Sequence, residues 1–140
     1  MTAPANAVAL AREHRRLERL MQRHQRALVD ARFDWAAQRW RRYRERLAAH
    51  IEVEESWLAE AETQGWPLRW PVRVYRLEHR RILELAAAVA HELEAAPRAR
   101  TADFRIALIE REKTLKGVLE HHHAREEQDL YRHFAKPPAR

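Results

Sequence analysis

The feature that most constrains this chain is where its polar residues fall on its apolar stripes. Apolar side chains recur at alternating steps of three and four, the spacing of one face of an α-helix. His and Glu interrupt those stripes in register. The first stripe reads Leu10, His14, Leu17, Met21, His24, Leu28. The second reads Phe33, Ala36, Trp40, Tyr43, Leu47, His50, Glu54, Trp57, Ala61. The third reads Val72, Tyr75, His79, Ile82, Ala86, Val89, Leu93. The fourth, less regular because Arg111 falls on it, reads Phe104, Leu108, Leu115, Leu119, His122, Glu126, Leu130.

Punctuation separates the stripes. Pro4 suits a first helical turn. Gly65, Pro67 and Pro71 mark a loop around residues 63–70, and Pro97 marks another near 96–101 with Thr101 or Asp103 as N-cap. Pro137 and Pro138 end the pattern. Nothing comparable separates the first two stripes, and the break is placed near Asp30. The expected helices run roughly 4–29, 31–63, 72–95 and 102–134. Only 2 Gly among 140 residues leaves little to break them. Short loops make sequential neighbours antiparallel, so the expected fold is all-α, an up-down-up-down four-helix bundle forming a single domain over 1–140.

Composition narrows the chemistry. There is no cysteine, so thiol catalysis, disulfides, Cys-ligated zinc and iron–sulfur clusters are excluded. Any metal must be held by nitrogen and oxygen. The net charge is +6, from 27 basic and 21 acidic residues, but the signs are interspersed. We read this as a solvated Arg-rich exterior rather than a nucleic-acid surface. No apolar run approaches the roughly 20 residues of a membrane span. No secretory signal pattern opens the chain, and the expected location is the cytoplasm.

An ionised Glu in a core is costly unless it is paired or bound to a metal. Here every stripe carries an inward His and two also carry an inward Glu. The motif H-x-x-x-E-E occurs twice, as His50 to Glu55 and as His122 to Glu127. A separation of four puts His and Glu on one face a turn apart. Depth agrees. From the turn near Asp30, His14 lies roughly 15 residues away, and His50 and Glu54 roughly 19 and 23. From the turn near Pro97, His79 lies roughly 16 residues away, and His122 and Glu126 roughly 20 and 24. At about 1.5 Å per residue, all six fall in one layer roughly 25–35 Å from those turns. The two hairpins repeat one pattern, as after an internal duplication. The layer lies toward the bundle end that holds Gly65, and a metal site is the expected reading.

The chain resembles the hemerythrin-like, cation-binding HHE family. The resemblance rests on Glu13-His14, His50 to Glu55, Glu78-His79 and the run from His122 to Tyr131, H-H-A-R-E-E-Q-D-L-Y. It implies two iron ions inside a four-helix bundle, with Mn or Zn as other candidates. It also implies His14, His50, His79 and His122 as terminal ligands, and Glu54 and Glu126 as carboxylate bridges. The implied partner is a small diatomic ligand or peroxide: oxygen, nitric oxide or hydrogen peroxide. The sequence departs from the oxygen-carrying pattern at one place, because Tyr75 stands where a second helix-three histidine is usual. Tyr75 is open to three roles: ligation as a phenolate, a hydrogen bond to a bound small molecule from a second layer, or packing. The missing imidazole tilts the reading toward peroxide or redox chemistry.

The remaining candidates are read more plainly. His24, ten residues from His14, is a core or second-layer histidine. His121 and His123 flank His122 and are expected to face sideways or outward. Glu55 and Glu127 are expected to face solvent, with a second-layer acceptor as the other option. His91 and His133 are peripheral. Trp66 and Trp70 either shield the layer or pack within their loop.

Overall fold

The computed structural model describes residues 6–134, and among these there is no strand. Four α-helices follow in order: α1 Ala7–Val29, α2 Phe33–Gln64, α3 Val72–Glu94 and α4 Ala102–Gln128. A short 3₁₀ turn, Leu130–Phe134, closes the described chain. Each helix packs on its neighbour in sequence, and α1 packs on α4, so the four close into an up-down-up-down bundle. The expected Pro4, Pro137 and Pro138 signals lie outside the described residues.

The caps follow from side-chain chemistry. Asn6 Oδ1 accepts from the Ala9 amide at 2.9 Å, and Thr101 Oγ1 accepts from the Phe104 amide at 3.2 Å. Thr101, not Asp103, is therefore the N-cap of α4. Gly65 ends α2 in the left-handed region at φ 65°, and the Trp66 amide reaches back to Ala61 O at 3.0 Å. The α1–α2 turn is built the same way without a glycine. Ala31 takes φ 58° while the Arg32 amide bonds Ala27 O at 2.8 Å.

The stripes expected in α1 and α2 are buried throughout. Val72 and Phe104 are only half-buried at their helix starts. The fourth helix differs in two respects. It stops at Gln128 rather than running to 134, and Leu130 belongs to the turn that follows. Glu112, not Arg111, faces inward, fully buried. Its Oε2 meets His24 Nε2 at 2.7 Å, while His24 Nδ1 meets Ala36 O at 2.7 Å and Gln25 Nε2 donates to Glu112 Oε1 at 3.0 Å. Both atoms of the buried pair are thereby satisfied. His24 is thus a core histidine.

The core falls into two apolar clusters. The larger runs from Phe33, Trp40 and Leu93 to Leu17, Ile51 and Leu119. Within it Trp40 Nε1 donates to Ala86 O at 3.0 Å, which satisfies the indole. The smaller gathers Leu10, Trp57, Leu58, Tyr75, Leu130 and Tyr131 near the α2–α3 loop. Between them, on every helix, sits the His/Glu layer. Its position at the Gly65 end agrees with the depth reckoned from the sequence.

Ala31 is the position where local strain can be tested. A non-glycine residue in the left-handed region costs roughly 1 kcal/mol. Ala31→Gly is expected to raise unfolding stability by about 0.5–1 kcal/mol in chemical denaturation, with the m-value unchanged.

Candidate metal centre

All six residues singled out in the sequence come together. His14, His50, His79 and His122 are no more than 4% exposed, and Glu54 and Glu126 are 0% exposed. The two carboxylates are shared across the site. Glu54 Oε2 lies 3.1 Å from His50 Nε2 and 3.8 Å from His14 Nε2, and its Oε1 lies 3.1 Å from His79 Nε2. Glu126 Oε1 lies 3.5 Å from His14 Nε2, and its Oε2 lies 2.9 Å from His122 Nε2 and 3.3 Å from His79 Nε2. Each carboxylate therefore sends one oxygen to the α1/α2 half and one to the α3/α4 half.

A second layer orients the imidazoles. His79 Nδ1 meets Glu55 Oε2 at 2.5 Å, and His122 Nδ1 meets Glu78 Oε1 at 2.9 Å. His14 Nδ1 faces Glu127 Oε2 at 3.5 Å, and His50 Nδ1 faces Glu13 Oε1 at 3.7 Å, charge contacts beyond hydrogen-bond range. Glu13 of α1 thus serves α2, Glu55 of α2 serves α3, Glu78 of α3 serves α4, and Glu127 of α4 serves α1. The four contacts close a ring around the bundle. Glu55 and Glu78 hold the Nδ1 atoms of His79 and His122 outward, His14 and His50 turn theirs the same way without a hydrogen bond, and every Nε2 faces the centre. Glu55, though more than a third exposed, is a second-layer acceptor rather than a simple solvent-facing group, while Glu127, 48% exposed, only faces His14 Nδ1 as a charge contact. Glu78 also pairs with Arg125.

Electrostatics follow from this geometry. Burial opposes charge on His50, but Glu54, Glu13 and Glu126 outweigh it and push His50 up to about 10. His79 is likewise raised to about 10 by Glu126 and Glu54 against burial, and His14 is raised by the same two carboxylates. Burial opposes charge on Glu54 too, yet His50, His14 and His79 hold it well below the usual carboxylate range. Glu126 is lowered by His122 and His14 against burial and Glu54. With protein groups alone, protonated imidazoles neutralise the buried carboxylates.

A cation fits the same place. His122 Nε2 and Glu126 Oε1 are buried without a hydrogen bond and face the centre. Metal–ligand bonds of about 2.1 Å at right angles separate donor atoms by about 3 Å, close to the spacings here. Two four-residue groups have donor atoms within 4.8 Å of one another: His14, His50, His123, Glu126, and Glu54, His79, His122, Glu126. The donors are nitrogen and carboxylate oxygen only, a set that suits Fe, Mn or Zn.

Two residues of this layer were not expected. His123 was expected to face sideways or outward, but it is buried and stacked on His14, with ring centroids 3.6 Å apart and planes 9° apart. It lies on the α1 side of α4. A bundle helix buries a position flanking its main stripe as well as the stripe itself, and Leu119, four residues earlier, was the available signal. Burial, then the His14 charge, lower His123 to about 3, so it is neutral. Tyr131 places its hydroxyl 2.9 Å from His14 Nε2 and donates to Glu54 Oε2. A continuous helix would have turned position 131 about 140° from Glu126. The break at Asp129 brings it inward.

Asp129 holds that break together. Its carboxylate accepts from the Arg69 amide at 2.9 Å, the Trp70 amide at 3.2 Å and the Tyr75 hydroxyl at 2.7 Å. The Tyr75 hydroxyl is thus engaged in a second-layer hydrogen bond with Asp129. Burial and Asp129 keep its hydroxyl protonated well above the usual range. Trp66 packs on His133 and Phe134, and Trp70 lies under the Arg69 and Arg125 guanidinium groups. His121 and His91 are surface residues.

A four-helix bundle with a buried layer of shared carboxylates and inward imidazoles defines a class of protein able to hold cations in its core. The profile of the hemerythrin HHE cation-binding domain matches residues 71–140, half of the chain. The chain belongs to the hemerythrin HHE cation-binding family. No curated protein and no solved structure matches it. The matched stretch holds α3 and α4. The α1/α2 half outside it carries His14, His50 and Glu54 in the same pattern. Among the described residues no helix is long and apolar enough to cross a membrane.

Asp129→Ala removes the acceptor for two loop amides and a buried phenol. It is expected to lower stability by about 1–3 kcal/mol. Hydrogen exchange at the Arg69 and Trp70 amides should accelerate ahead of the helix interiors. Unchanged exchange there would show that Asp129 does not tether the loop.

Proposed function

We propose that this chain is a non-haem di-iron protein whose carboxylate-bridged centre binds or senses a small diatomic ligand or peroxide. One observation carries the reading: Glu54 and Glu126 each divide their two oxygens between the His14/His50 half and the His79/His122 half. That division suits two cations, one per half, with both carboxylates spanning them. Iron, when bound, supplies Lewis acidity and one-electron redox chemistry; manganese would do the same, and zinc only the former.

The chain's own residues do the rest. Glu54 and Glu126 bring negative charge to the core to offset the cations. Glu55 and Glu78 fix His79 and His122 with Nε2 inward, and Glu13 and Glu127 face His50 and His14 as charge contacts. Tyr131 donates to Glu54 and orients that carboxylate. Leu10, Trp57 and Leu58 on one side, and Leu47, Ile51 and Ile82 on the other, exclude water. Access is available from two sides: a cavity of about 530 Å³ between α2 and α3 has Ile51, Glu55 and His79 in its wall. A cavity of about 430 Å³ between α1 and α4 has His14 and His123 in its wall, with exposed Arg15, Glu18, Gln22 and Glu120 at its rim. A diatomic molecule or peroxide fits that volume easily.

Peroxide decomposition is the second reading. It is favoured by Tyr75, whose phenol is engaged with Asp129 where an additional imidazole is usual in oxygen carriers. Oxygen evolution from peroxide by the iron-loaded protein separates the two: no turnover removes the enzyme reading.

Metal analysis tests the centre itself. Purified protein is expected to carry about two irons per chain with oxo-bridged iron absorption in the near-ultraviolet and visible spectrum. Glu54→Ala and Glu126→Ala should lose both metal and spectrum, and full metal in the double variant would refute the proposal. Metal binding should also raise the unfolding temperature, because the ions hold together a layer of buried charge. Glu78→Ala, which leaves His122 Nδ1 without its partner, is expected to weaken metal affinity by about 10–100-fold.

A further inference from the structure

We propose that His123 is a metal ligand of the α1/α2 half, which makes the centre asymmetric: three imidazoles on one side and two on the other. The inference rests on the di-metal reading above and extends it to a residue outside the duplicated motif.

The two halves are alike in the residues that repeat. His14, His50 and Glu54 match His79, His122 and Glu126 in spacing and depth. His123 has no counterpart in the first H-x-x-x-E-E motif, where Ile51 occupies the equivalent place and lies in the apolar core. An imidazole therefore stands in α4 where α2 carries an aliphatic side chain.

Its position gives that difference a direction. The His123 ring stacks on His14 at 3.6 Å with planes 9° apart and is tilted 54° from His122 at 5.9 Å, so reaching the ion that His14 holds takes a turn of the His123 ring out of that stack. It belongs with α1, although it is adjacent to His122 in sequence. One of its nitrogens lies within 4.8 Å of donor atoms of His14, His50 and Glu126. The four outer carboxylates of the ring are directed to the other four imidazoles. His123 is thus the buried imidazole of this layer that the ring does not serve. It also lines the α1–α4 cavity beside His14.

A filler role makes a different prediction. If His123 only packs on His14, a leucine of similar size would keep the metal. The experiment compares wild type, His123→Leu, His123→Gln and Glu126→Ala. Each is loaded anaerobically with Fe(II) and, separately, titrated with Co(II), with metal stoichiometry, affinity and the Co(II) visible spectrum as readouts. Wild type is expected to take two ions. Both His123 variants should bind one of the two at least about tenfold more weakly, a loss seen even when only the partner of a ligand is removed, and the Co(II) bands should shift. Wild-type affinity and spectrum in both His123 variants, with metal lost in Glu126→Ala, would overturn this inference and leave the di-metal reading intact. A wild type that takes up no metal, or a Glu126→Ala that keeps both ions, would sink the two together. Should the substitutions prevent folding, ¹⁵N shifts of the His123 ring in Zn(II)-loaded wild type decide the matter: shifts like those of His14 support ligation, and shifts of a free neutral imidazole refute it.

Discussion

Two carboxylates with no exposed surface, Glu54 and Glu126, govern the rest of this structure. An isolated ionised group in a protein core costs several kcal/mol even after relaxation. Nothing apolar offsets that, so positive charge or a metal must be brought to it. Each helix brings an imidazole. The imidazoles lie on the same face as the Leu and Trp residues that build the core, so placing them inward also sets the rotation of each helix about its axis. The carboxylates therefore specify helix orientation as well as chemistry.

The outer ring extends the same logic by one layer. An imidazole that faces a carboxylate through Nε2 leaves Nδ1 near the helix surface. There a glutamate from the preceding helix of the bundle meets it, at 2.5 and 2.9 Å in two cases and 3.5 and 3.7 Å in the others. The ring follows the packing order α1, α2, α3, α4 and back to α1. A mistake in helix order would separate a glutamate from its imidazole. Packing and polar pairing thus select one topology, the agreement between levels expected of a chain with a single native state.

Much of this was legible in the sequence because helices report their faces through spacing. The six inward residues, their common depth and the two later loops follow from period and punctuation. What was not legible depends on backbone detail or on neighbours. The α1–α2 turn carries no glycine, since Ala31 takes the left-handed conformation itself. Glu112 replaces Arg111 at the core because its carboxylate meets His24 across the bundle, a partner 88 positions away. Tyr131 enters the layer only because α4 ends at Gln128, a break fixed by loop amides binding Asp129. His123 is buried because α1 happens to cover that side of α4. For Glu112, Tyr131 and His123 the deciding contact is long-range.

Some of those misses share a location, and that is informative. Tyr131, Asp129 and His123 all belong to the last turns of α4 or the turn beyond it. The repeated elements, His14 with H-x-x-x-E-E and His79 with H-x-x-x-E-E, build a nearly two-fold layer. The end of α4 breaks it by directing a phenol and a fifth imidazole toward the His14/His50 half, while Tyr75 leaves the other half with two imidazoles. A symmetric layer would treat both cation positions alike. On the two-cation reading proposed above, this one would give the His14/His50 position more nitrogen donors, a hydroxyl beside its carboxylate, and the wall of the α1–α4 cavity. Two positions that differ this way differ in affinity and in what reaches them. A centre meant to react with or respond to an incoming molecule, rather than only to hold ions, has use for that difference.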